Sequence, residues 1–159
     1  MTTTFEDIAN INTAIYDTLK TVDPELDQYS QNYDNLREGV ANFPMFQVYW
    51  QSGTVGSATD RATYGGGLRV SDLVFHVDLF ATTRAQSDNI FGTIFPLLQK
   101  IDQKLSEQNK KPYFGLVRTD GEPVIKSYQY SYERATFTYE QGDGVTYPGV
   151  RFIINIRVF

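Results

Sequence analysis

An α+β fold, in which a mostly antiparallel β-sheet is flanked by helices, is what this sequence predicts, and three observations carry it. Residues 73–80, 124–139 and 150–159 alternate apolar side chains with the two-residue period of strands. Residues 5–20 and much of 88–108 instead place their apolar side chains three and four apart, as helices do. Aromatics are also plentiful: 11 tyrosines and 11 phenylalanines in 159 residues suit cross-strand ring pairs and surfaces that become interfaces. A chain of this length fits one domain, residues 1–159, with a substantial core.

Thr4 is placed to cap a first helix, with Glu6 and Asp7 favourable in its first turn. Ile8, Ile11, Ile15 and Leu19 share one face with Tyr16 beside them, and Asp23-Pro24 ends the helix. Residues 25–43 make a polar and aromatic connection that the pattern leaves unassigned. In residues 46–50, Phe46, Val48 and Trp50 face one way and Gln47 and Tyr49 the other, which predicts a strand.

Residues 51–67 then bring serine, threonine and five glycines around Asp60-Arg61, which reads as a long hairpin loop or an extended arm. Its Gly65-Gly66-Gly67 run lacks both the Lys-Ser/Thr ending of a phosphate loop and the strand-to-helix setting of a dinucleotide site. As an arm that reaches a neighbouring subunit, it offers Asp60, Arg61, Gly65, Gly66, Gly67 and Arg69 for contact.

In the next strand Leu73, Phe75, Val77 and Leu79 alternate with Val74, His76, Asp78 and Phe80, so both faces are expected to pack. The following helix carries a stripe of Ile90, Ile94, Leu97, Leu98, Ile101 and Leu105. Pro96 inside that stripe predicts a kink or a break into two helices. Residues 113–117 read as a short edge segment before the turn Asp120-Gly121-Glu122-Pro123. Tyr128, Tyr130 and Tyr132 then share a strand face, whereas Phe137 and Tyr139 have the opposite parity. A bulge near residues 133–135 is the expected remedy. Residues 141–144 supply a hairpin turn into residues 150–159, an interior strand with Val150, Phe152, Ile154, Ile156 and Val158 inward and Arg151, Asn155 and Arg157 on the other face.

Chemistry is sparse in this inventory. The formal net charge of −5 argues against duplex binding by the whole surface, though not against DNA passing through an acidic ring. Zero cysteines remove disulfides and thiolate chemistry. Neither a signal peptide nor an 18-residue apolar run is evident, which leads us to expect a soluble protein without membrane contact. His76, the only histidine, has Asp78 two positions away on the same strand face; the pair is the seed of an alternative reading as a small metal-dependent enzyme, but two local ligands do not make a site. No Gly-x-Ser-x-Gly elbow occurs, and no catalytic residue, metal or cofactor is assigned. Arg151 and Arg157 remain candidates for a partner-facing or channel role.

Three segments read together carry a resemblance: Tyr64-Gly65-Gly66-Gly67-Leu68-Arg69, Lys111-Pro112-Tyr113-Phe114-Gly115-Leu116, and the ending from Phe137-Thr138-Tyr139 through Tyr147-Pro148-Gly149-Val150 to Phe159. With the layout of residues 5–159 they resemble the tail terminator or head-tail joining (neck) proteins of tailed bacteriophages. The resemblance implies a non-enzymatic virion subunit made in the host cytoplasm. It implies a homo-oligomeric, commonly hexameric, ring that caps the tail tube, contacts the tube protein and the head connector or adaptor proteins, and lets genomic DNA touch its lumen in transit. Another neck adaptor or head-completion protein contacting DNA is the alternative within the same class.

Overall fold

Two helices lie against one face of a sheet in the computed structural model, which describes residues 5–24, 26, 31–32, 45–55, 71–80, 90–138 and 146–158. In chain order the elements are α1 (Phe5–Lys20), β1 (Gln31–Asn32), β2 (Met45–Val55), β3 (Ser71–Phe80), α2 (Ile90–Glu107), a 3-10 turn (Tyr113–Gly115), β4 (Ile125–Thr138) and β5 (Thr146–Val158). The sheet order is β1-β2-β3-β5-β4. All pairs are antiparallel except the two-residue β1 against β2. The fold is therefore α+β, with β5 inside the sheet between β3 and β4 as its apolar face demands.

The core is the layer between helices and sheet. Ile11, Ile15 and Leu19 of α1 and Ile94, Leu97, Ile101 and Leu105 of α2 bury against Phe46, Val48, Phe75, Val77, Leu79, Phe152, Ile154 and Ile156. Each such side chain contributes roughly 1.5–3 kcal/mol on leaving water. Polar anchors fix the helices over this layer. Asn12, buried on α1, donates from Nδ2 to the Val48 carbonyl of β2 at 3.2 Å. Tyr128 donates its hydroxyl to the Leu105 carbonyl in the last turn of α2 at 3.0 Å, where the Gln108 N–H also donates at 3.2 Å. Tyr130 reaches Asp102 Oδ1 at 2.7 Å.

Several details differ from the sequence expectation, each for a physical reason. Of the two alternatives at Pro96, the break into two helices does not occur: α2 is one element through the proline, because the apolar stripe on both sides of it packs on the same sheet. Residues 51–55 belong to β2 rather than to the glycine-rich connection: a register shift at Gln51 lets Ser52 through Val55 continue pairing with β3. Residues 113–117 form a 3-10 turn and a single bridge, Val117 to Pro123, with Phe114 (φ 54°) and Gly115 (φ 69°) in the left-handed region. The turn after it is as expected, with Gly121 at φ 86° and Asp120 Oδ1 accepting from the Glu122 N–H at 3.0 Å. The remaining connection, 56–70, and the 141–144 turn lie outside the described residues, as do Thr4 and Phe159.

The expected bulge at 133–135 is absent. Pairing of β4 with β5 is continuous from Ser127 to Thr138, and the one shift lies at Lys126. Parity changes because Phe137 serves the opposite face, where its ring meets Phe80 at 4.7 Å between centroids. Gly149 lies beside that pair, and a Cβ there would run into the Leu79 carbonyl and the Phe137 ring. Gly149→Ala should therefore lower unfolding free energy by about 1–3 kcal/mol through overpacking, read as a lower urea midpoint.

Candidate functional site

The sheet face turned away from the helices is built from the alternate residues of β2, β3, β5 and β4. Because β3 and β5 are antiparallel, Asp72 stands opposite Arg157 and Asp78 opposite Arg151. Both pairs are two-pronged: Arg157 bonds Asp72 at 2.7 and 3.2 Å, and Arg151 bonds Asp78 at 2.8 and 3.3 Å. Environment separates them. Asp72 and Arg157 are half-exposed, while the Asp78 side chain is 2 % exposed.

Tyr49, on β2, completes the inner cluster by donating its hydroxyl to Asp78 Oδ2 at 2.7 Å. Arg151 Nη2 approaches the same hydroxyl oxygen at 3.4 Å and His76 Nδ1 lies 3.3 Å from it. The hydroxyl has one proton and gives it to Asp78, so a bond from His76 requires the ring proton on Nδ1. Burial, the bond to Asp78 and the Asp78 charge all push the Tyr49 hydroxyl well above its ordinary pKa. The bond to Asp78 likewise raises Arg151, against its partial burial. Both are locked in their usual charge states. The Arg151 guanidinium also lies over the Phe137 ring, 5.4 Å from its centroid, which joins the ionic cluster to the Phe80–Phe137 pair.

His76 and Asp78 thus share a face as the sequence implied, but both carboxylate oxygens already accept from Arg151 and Tyr49. A metal would have to displace that arginine. Among the described residues, no group of three or more histidine, aspartate or glutamate side chains is placed to hold a metal ion. Arg151 and Arg157 lie on the sheet face opposite the helices, each committed to its aspartate. Asp60, Arg61, Gly65, Gly66, Gly67 and Arg69 lie outside the described residues. Tyr49 was missed as a functional side chain; its position on the polar side of β2 was the available signal.

Two apolar surfaces also escaped the sequence reading. Between α2 and the β4 edge, Phe95, Leu98, Gln99, Asp102, Tyr132, Val150 and Phe152 line an open groove of about 400 Å³. Phe95 and Tyr132 are 59 % and 64 % exposed on its walls. On the α1 and β2 side, Phe5 (77 % exposed) meets Trp50 (41 % exposed) edge-on at 6.0 Å. The tyrosine ladder is graded accordingly. Tyr128 is buried, Tyr130 is half-buried with its hydroxyl pushed up to about 12 by burial and Asp102, and Tyr132 is exposed.

No helix of the described residues is long and apolar enough to cross a membrane. No family model and no curated protein matches the chain.

The two ionic rungs should differ in worth. Asp78→Ala strands the Arg151 charge and should cost roughly 2–4 kcal/mol, whereas Arg157→Ala should cost less than about 1 kcal/mol, both read from urea titrations. A pH effect follows from His76, faced by Tyr49, Asp78, Arg151 and, across the sheet, Glu133. Burial and then the Arg151 charge lower its pKa from 6.5, while Asp78 and Glu133 oppose them. The unfolded chain takes up this proton first, so stability should fall as pH drops below about 6.5 toward the depressed folded value. His76→Gln should flatten that part of the stability profile relative to the unsubstituted chain.

Proposed function

We propose that the chain is a non-enzymatic virion subunit of a tailed bacteriophage, a tail terminator that forms a ring on the head-proximal end of the tail tube. The observation that carries the reading is the layout: helix, strand pair, helix and strand pair, with the helices on one sheet face. A cyclic ring requires unlike lateral patches on each subunit and distinct surfaces toward the tube and the connector. Unlike surfaces are what the chain offers: an ionic and aromatic sheet face, a groove beside α2 and an aromatic knob beside α1.

In this reading the ring is commonly of six copies, its partners are the tube protein and the head connector or adaptor proteins, and it resides in the virion. The net charge of −5 suits a lumen along which DNA slides without being held. Arg151 and Arg157 do not alter that balance, because each is neutralised by an aspartate.

Tail tubes polymerised from tube protein with and without the purified chain test the reading. Added chain should arrest elongation and be seen by microscopy as a ring at one tube end. Unchanged tube lengths, with no chain bound at the ends, would defeat it.

A further inference from the structure

The large apolar side chains that remain exposed among the described residues are Phe5, Trp50, Phe95, Val117 and Tyr132. Four of these five fall into two patches rather than scattering singly, and grouping of this kind marks interaction surfaces. Phe5 and Trp50 make a knob where the N-terminal end of α1 crosses β2. Phe95 and Tyr132 wall the groove between α2 and β4. Since β2 and β4 lie toward opposite edges of the sheet, the patches stand at opposite sides of its helix-bearing face.

We infer that two copies of this chain meet head to tail, with the Phe5 and Trp50 knob of one seated in the Phe95 and Tyr132 groove of the next. The inference rests on the ring reading for its repetition around a circle. Register sets the heights. Trp50 stands opposite Phe75, Phe75 opposite Ile154, and Ile154 opposite Tyr130. Tyr132 is one same-face step further along β4, so knob and groove differ in level by only about 7 Å.

Charge at the rims agrees with this pairing. Glu6, exposed, adjoins Phe5; Arg134, exposed, follows Tyr132 on the same face of β4. Asp102, the anion within the groove, already accepts the Tyr130 hydroxyl. Sequestering aromatics in an apolar groove also uses the residues that anchor interfaces most strongly. A symmetric dimer that joined knob to knob would leave both grooves open, whereas head-to-tail repetition covers every patch once the ring closes.

The chain has no cysteine, so single cysteines report this contact without background. Phe5→Cys and Tyr132→Cys variants, mixed and oxidised at high protein concentration, should give the mixed disulfide in excess over either symmetric one. Phe95→Cys, paired with Phe5→Cys, repeats the test from the other groove wall. Urea titration confirms folding, since all three side chains are largely exposed. Sedimentation of the unsubstituted chain reads the ring separately. Oligomers accompanied by statistical disulfide pairing would overturn the knob-and-groove contact and leave the ring. Preferential mixed pairing with no species beyond a dimer would support the contact and overturn the ring. Monomers with statistical pairing would overturn both.

Discussion

The pairing of β3 with β5 is the constraint on which the rest of the structure depends. Asp72 and Asp78 are six residues apart on one strand, and Arg151 and Arg157 are six apart on the other. In an antiparallel pair a single register places both aspartates opposite both arginines, and that is the register found. A slip by one residue would turn Phe152, Ile154 and Ile156 away from the helices and break both rungs together. The half-exposed outer rung adds little energy, but the inner one, with its shielded carboxylate, penalises misregister heavily.

With that register held, the sheet supports two quite different surfaces. Toward the helices it is apolar, and the hydroxyls of Tyr128 and Tyr130 tie the end of α2 to β4. Away from them, Tyr49, Asp78, Arg151, Phe80 and Phe137 form a second small cluster whose charges cancel internally. Such a face is polar enough to meet water yet rigid enough to keep its shape against a partner. Each ionisable member of that cluster is already committed to a neighbour.

The exposed aromatics concern a different balance. Phe5, Trp50, Phe95 and Tyr132 leave apolar area in water, and removing that area from it would favour association. Association must also offset lost rigid-body freedom, so residues held on helices and strands are better anchors than residues on a loop. All four sit on regular elements, and Trp50 is further fixed by donating Nε1 to the Ser52 carbonyl at 2.8 Å.

Local periodicity by itself determined the fold class, both helices, the main strands and the interior place of residues 150–158. The reason is that an apolar stripe repeating at two or at three and four allows only one backbone geometry to bury it. The matching six-residue spacings of Asp72 with Asp78 and Arg151 with Arg157 were also present to be read, although only knowledge of which strands neighbour gives them meaning. Tertiary structure alone decided the rest. Phe137 changed parity without a bulge because Phe80 and Arg151 gave it a home on the opposite face, and α2 ran through Pro96 because packing on the sheet outweighed one lost backbone bond. Tyr49 joined Asp78 and His76, and Tyr132 stayed exposed while Tyr128 was buried, because burial depends on which element lies above a strand and a sequence period states only which face a side chain takes.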